Sequence, residues 1–99
     1  MTLSDAVRVA RGNLAANIRH HRLRLGLTRG EFAQRMRVHI RNLEEAEDPH
    51  GANLSLVSLI KFSHALAVDP AELFMPRELP ELKRGLAAAQ QLKQQRKTT

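Results

Sequence analysis

The sequence predicts an all-α fold, a small bundle of short helices with two of them joined by a tight turn at its centre. Three observations carry this. Residues 26–47, GLTRGEFAQRMRVHIRNLEEAE, hold two short helical segments separated by about three residues, the spacing of a helix-turn-helix. Residues 56–66 repeat apolar side chains at helical spacing, and residues 69–72, DPAE, combine the residue types that open a helix.

In chain order, residues 2–11, TLSDAVRVAR, form a short helical extension. Thr2 and Asp5 supply its cap, Ala6, Val9 and Ala10 give it a weak apolar side, and Gly12 is expected to break it. It is expected to fray or to pack on a partner. Asn13 then caps a helix from Leu14 to about Arg24, with Leu14, Ile18 and Leu25 facing inward and Gly26 terminating it. His21 lies near the same face and reads as a satisfied core residue rather than a ligand.

Thr28 precedes the next periodic run, with Glu31 three positions later, so the two can form a capping box. That starts a helix over Arg29–Met36, whose Phe32, Ala33 and Met36 make one narrow apolar face. A second helix, from about His39 to Ala46, turns Leu43 and Ala46 inward, with Val38 in the turn before it. It leaves His39, Ile40, Arg41, Asn42, Glu44 and Glu45 outward. Residues 48–53, DPHGAN, are a turn-rich connector. Ser55 caps a helix from Leu56 to Leu66, with Leu56, Leu59, Ile60, Ser63 and Leu66 at core spacing. Asp69, Pro70 and Glu72 open a short fifth helix ending near Phe74, where Leu73 and Phe74 close the bottom of the core.

Residues 77–99 differ in character. Pro80 can open a helix in which Leu79, Leu82, Leu86 and Ala89 recur every three or four positions, and Lys93–Thr99 form a polar, basic tail. The stripe spans two heptads at most, too few to argue a coiled coil, so it reads as a helix docking on its own domain or on a dimer partner. The organisation is therefore a helical extension over 1–13, a helix-turn-helix domain over 14–76, and a helix with a basic tail over 77–99.

The 99 residues suffice for one small core. There is no cysteine, hence neither a disulfide framework nor a thiolate metal site. No apolar run approaches the ~20 residues a membrane span needs, and the amino terminus lacks a signal-peptide pattern, so a cytoplasmic location is expected. The net charge of +6 is unevenly placed: residues 1–37 carry eight Arg against Asp5 and Glu31, and residues 83–99 carry five basic residues and no acid. Residues 38–54 are acidic, with Glu44, Glu45, Glu47 and Asp48 against Arg41. A basic domain suits a polyanion, because each neutralised phosphate releases counterions.

Ile18-Arg19, Arg22, LGLTRGEFAQRM at 25–36, Val38, Leu43, Glu47, SLIKFSHALAV at 58–68 and DPAELF at 69–74 resemble the Cro and phage-repressor family of helix-turn-helix DNA-binding proteins. These are also called xenobiotic-response-element regulators. The resemblance covers about residues 14–74 and implies a five-helix lambda-repressor-like domain with a helical C-terminal extension. It implies a partly buried ion pair between Arg22 and Glu47, for which a planar guanidinium is well shaped. It places Arg29 where the family usually has Gln, at a helix start favourable to a phosphate, with Thr28 and Arg37 as further phosphate contacts. Base-reading positions fall at Ile40, Arg41 and Glu45, with His39 and Asn42 beside them. Arg41 suits guanine O6 and N7, Ile40 a thymine methyl, and Glu45 either accepts from cytosine N4 or, as favoured, orients Arg41.

The chain also departs from the family pattern. Arg37 stands where a glycine is frequent, which requires a side chain at positive φ. Pro49 replaces another frequent glycine, and the 48–53 loop is one residue longer than the common form. The acidic carboxyl end of the second motif helix would be repelled by phosphates, so basic compensation is expected from Arg8, Arg11, Arg29 and Arg37.

The expected function is that of a sequence-specific DNA-binding regulator, a repressor or autoregulator, binding double-stranded DNA as a homodimer. An antitoxin or protein-interaction adaptor on the same fold, with a toxin or other regulatory protein as partner, is the alternative. No glycine-rich phosphate loop, nucleophile elbow or His-Glu metal signature points to an enzyme or a cofactor. His20 and His21 project about 100° apart on a helix and do not converge on a metal.

Overall fold

The computed structural model describes residues 1–77. Among them are four α-helices and no strand: α1 (Leu3–Arg24), α2 (Arg29–Met36), α3 (Ile40–Ala46) and α4 (Leu56–Leu66). The expected fifth helix is a 3-10 helix, Pro70–Phe74, so the count of five α-helices is not met. Asp69 caps it through Ala71 N–H, and Pro76 follows two residues after its end. A segment that short between two prolines has no room for α-helical bonding. The C-terminal helix and basic tail expected over 77–99 lie, from residue 78 onward, outside the described residues.

The two helices expected over 2–24 are one. Thr2 and Asp5 form a capping box at the start of α1, and the helix passes through Gly12 and Asn13 without interruption. An interior glycine costs about 1 kcal/mol, less than the orphaned backbone groups that two new helix ends would create. Asn13 is therefore not a cap; its Oδ1 accepts from the Arg77 backbone N–H at 3.3 Å.

The core is built from Leu14, Ala15 and Ile18 of α1, Phe32 and Ala33 of α2, Leu43 and Ala46 of α3, Leu59, Phe62 and Leu66 of α4, with Ala52 and Leu73. Phe32 and Phe62 meet with ring centroids 6.2 Å apart. That pair explains why α4 is rotated from its expected face. Leu56 and Ile60 are 73% and 46% exposed, while Phe62 is buried beside Leu59, Ser63 and Leu66. With apolar residues at most positions of α4, spacing alone fits two faces, and the larger ring takes the inside. Leu25 and Phe74, also expected inward, are exposed. Leu25 caps α1, and the 3-10 turn directs only Leu73 into the core.

Three helices end alike. Beyond α1, Gly26 has φ 72°, with Gly26 N–H bonded to Leu23 O and Leu27 N–H to Arg22 O, a Schellman pair. Arg37 after α2 and Ala67 after α4 repeat it at φ 58° and 57°, so the residue replacing glycine at position 37 does adopt the left-handed conformation. Neither side chain is glycine, and each carries a left-handed penalty of about 1 kcal/mol.

Asn17, which no local sequence pattern singles out, is fully buried. Its Nδ2 donates to Leu73 O at 3.0 Å and Met75 O at 2.7 Å, and its Oδ1 accepts from Arg77 Nε. One amide thus ties the end of the described chain to the middle of α1. His21 is buried as expected, but not satisfied: its Nδ1 has no partner among the described residues. Burial, then the charges of Arg77 and Arg24, hold its pKa below the ordinary histidine value.

Gly12→Ala and Ala67→Gly are both expected to stabilise, by about 0.5–1 kcal/mol each. The first occupies a helix position where an added Cβ meets nothing within 4 Å, and the second relieves a positive φ. Thermal unfolding of the two variants checks this; a lowered midpoint for either would contradict it. Because His21 is neutral in the fold, the unfolded chain takes up a proton that the folded chain refuses. Stability therefore falls as pH drops below about 6.5, and continues to fall down to the depressed folded pKa. Urea midpoints of wild type and His21→Leu should diverge below that pH, with wild type losing more; parallel profiles would refute the assignment.

Candidate nucleic-acid interface

The geometry of α2 and α3 is set by one carboxylate. Glu47, at the end of α3, accepts from Arg22 Nε through Oε2 at 2.7 Å and from Arg22 Nη2 through Oε1 at 3.0 Å, a bidentate pair. Both side chains are almost wholly buried. The third donor of the fork, Arg22 Nη1, reaches Leu27 O at 2.7 Å in the turn between α1 and α2. Arg29 Nε also meets Glu47 Oε1, at 3.3 Å, while its side chain stays 47% exposed. One carboxylate therefore joins α1, the start of α2 and the end of α3.

Thr28 and Glu31 cap α2 reciprocally: Thr28 Oγ1 accepts from Glu31 N–H at 3.1 Å, and Thr28 N–H donates to Glu31 Oε1 at 3.0 Å. The backbone bond from Thr28, then its hydroxyl, hold the Glu31 carboxyl below the ordinary carboxylate range. Thr28 thus serves the cap through its hydroxyl oxygen and its amide. The amides of Arg29 and Gly30 have no protein acceptor among the described residues, and they mark where an anion can approach this helix start. Gly30 has no side chain to screen that approach, a feature the sequence reading did not single out.

The outward positions of α3 separate into distinct surroundings. His39 is its N-cap, with Nδ1 accepting from Arg41 N–H at 3.1 Å, which leaves Nε2 as its free nitrogen. Ile40 is 41% exposed, and its Cδ1 reaches over Gly30 of α2. Arg41 is exposed and makes no ion pair among the described residues. The expected Arg41–Glu45 contact is accordingly absent there. Glu45 and Asn42 instead line a cleft between α3 and α4 whose far side carries Leu54, Ser58 and Lys61. Arg35 and Arg37 are exposed at the end of α2, and Glu44 and Asp48 at the far end of α3. The end of α2 is therefore basic and the far end of α3 acidic.

Arg8, counted on for compensation, pairs with Asp5 of α1 at 3.3 Å at an exposed site. No group of three or more His, Cys, Asp or Glu able to hold a metal occurs among the described residues. None of their helices is long and apolar enough to cross a membrane.

Among solved structures, the chain is similar to the crystal structure of a hypothetical transcription factor from Neisseria. The two share 26% identity with a TM-score of 0.61, over 78% of this chain and 84% of that one. No protein-family model and no curated protein matches the sequence. The fold is thus an all-helical one of the kind seen in that transcription factor.

Glu47→Ala is expected to cost about 3–5 kcal/mol of stability, because Arg22 keeps its charge in a buried site without a counter-ion. Arg29→Ala, at the exposed edge of the same cluster, should cost no more than about 1 kcal/mol. Urea unfolding of the two variants checks this; equal losses would show that the carboxylate is not the hub.

Proposed function

We propose that this protein is a DNA-binding transcription regulator of the Cro and phage-repressor kind, a repressor or autoregulator that binds a pseudo-palindromic operator as a homodimer. The carrying observation is the α2–α3 unit, whose first helix offers two uncovered amides beside Arg29 and whose second presents Ile40 and Arg41 outward from its amino-terminal turn. The similarity to a hypothetical transcription factor supports the same reading. In it, the amino-terminal half of α3 enters the major groove. Arg41 reads a guanine, Ile40 touches a thymine methyl, and His39 and Asn42 flank them. Arg29, Thr28 and Arg37 face phosphates. Glu45, which shares the α3–α4 cleft with Asn42, stands one turn after Arg41, where it accepts from cytosine N4 or orients Arg41. A single short reading helix contacts few base pairs, which is the reason for a dimer. The protein acts by binding, without catalysis or cofactor, and works in the cytoplasm.

A second reading is favoured by the exposed carboxylates Glu44, Glu45 and Asp48. It makes the chain an antitoxin or adaptor whose acidic face meets a basic partner protein.

Selection of duplexes from a random pool separates the two. The wild type is expected to enrich two half-sites about one helical turn, ~34 Å, apart. Arg41→Ala should lose about 1–3 kcal/mol on the selected site and relax one base position, whereas Arg29→Ala weakens all sequences alike and lowers the salt slope by about one. No enrichment by the wild type would favour the partner-protein reading, and enrichment of isolated half-sites would refute the dimer.

A further inference from the structure

The buried arc of α1 has two flanks with different partners. At about 100° per residue, Asn13, Asn17 and His21 fall within about 80° of one another, while Arg22 lies about 100° round from His21 and about 140° from Asn17. The Arg22 flank holds Glu47 and, through it, the starts and ends of α2 and α3. The other flank holds the segment after α4. Asn17 donates to the carbonyls of Leu73 and Met75 and accepts from Arg77 Nε, and Asn13 accepts from Arg77 N–H. Within residues 70–77 only Leu73 is buried, and Phe74 and Met75 are exposed. The segment is thus fastened by one apolar side chain and a few polar bonds, and elements held in that way open before the core does.

His21 lies on this second flank, one turn after Asn17. It is 6% exposed, and its Nδ1 has no partner among the described residues. Protonation makes that nitrogen a donor, and a buried donor without an acceptor is costly. The surrounding charges add to the cost. Burial opposes a positive imidazole most, then Arg77 of the fastened segment and Arg24 of its own helix, while Glu72 of the 3-10 turn favours one. His20 meets the ring edge-on at 5.1 Å. Glu47 at the end of α3 is taken up by Arg22 and Arg29, and the titratable side chains of α4, Lys61 and His64, are exposed. Lifting residues 70–77 lets water reach Nδ1 and takes Arg77 away, which outweighs the loss of Glu72. The opened arrangement therefore binds a proton that the closed one refuses, close to the ordinary histidine pKa of ~6.5.

We propose that residues 70–77 form a pH-sensitive latch: protonation of His21 releases them from α1, while the Arg22–Glu47 flank keeps α2 and α3 in place. This does not rest on the DNA reading and stands or falls separately from it. Amide hydrogen exchange of the full chain, from about pH 7 to about pH 5 and corrected for the intrinsic pH dependence of exchange, tests it. The reporters are the Arg77 backbone amide and the Asn17 side-chain amide, which both bridge the latch. Their protection is expected to fall about tenfold for each pH unit below ~6.5, the slope of one proton taken up on opening. The Phe32 and Glu47 amides, bonded within the α2–α3 unit, should stay more strongly protected at every pH. His21→Leu should flatten the Arg77 and Asn17 profiles, and His20→Gln should keep their slope. Protection that does not change with pH, or that falls as steeply in His21→Leu, would overturn the latch. So would loss of protection in step with Phe32 and Glu47, which marks a single unfolding event and is readable in the wild type alone.

Discussion

The buried carboxylate of Glu47 is the constraint on which the α2–α3 geometry depends. α3 is only seven residues long and turns only Leu43 and Ala46 into the core. Two small apolar contacts do not fix a helix's rotation or its height above its neighbour. The bidentate bond from Arg22 does, because a planar fork meeting a planar carboxylate tolerates little rotation. Such a pair adds little net stability over an apolar replacement, since desolvation offsets most of the attraction. Its contribution here is the orientation of α3 relative to α1 and α2.

The same carboxylate reaches the surface through Arg29. This arginine has one foot in a buried cluster and the remainder of its guanidinium at the helix start where the Arg29 and Gly30 amides are uncovered. A phosphate docking there would meet a side chain already held in place, so less rotamer freedom is lost on binding. Glu47 at the end of α3 thus lies beside Arg29, while Glu44, Glu45 and Asp48 are exposed and make no ion pair among the described residues.

Much of this was legible in the sequence where a local pattern has one physical solution. The Thr28–Glu31 box, the glycine at 26 and the inward pairs Phe32–Ala33 and Leu43–Ala46 are of that kind. Legibility failed where two solutions compete. Gly12 looked like a stop and Asn13 like a new cap, but one interior glycine costs less than the unbonded backbone groups that two new helix ends would leave. α4 carries apolar side chains on two faces, and only the partner ring of Phe32 chooses between them. Asn17 and Arg77 carried no local signal at all, since their bonds join segments some 60 residues apart. On α3, the outward positions of Ile40 and Arg41 follow from helical periodicity, whereas the place of Asn42 and Glu45 on a cleft depends on where α4 packs.

Asn17 also decides where the folded unit ends. Its amide needs the carbonyls of Leu73 and Met75 and the guanidinium of Arg77, none of which belongs to an α-helix. A boundary drawn at the last turn of α4 would keep every α-helix and leave a buried amide with nothing to bond. The irregular stretch after Leu66 is therefore structural rather than a linker. It works as a clasp that fastens the end of the described chain to the middle of α1.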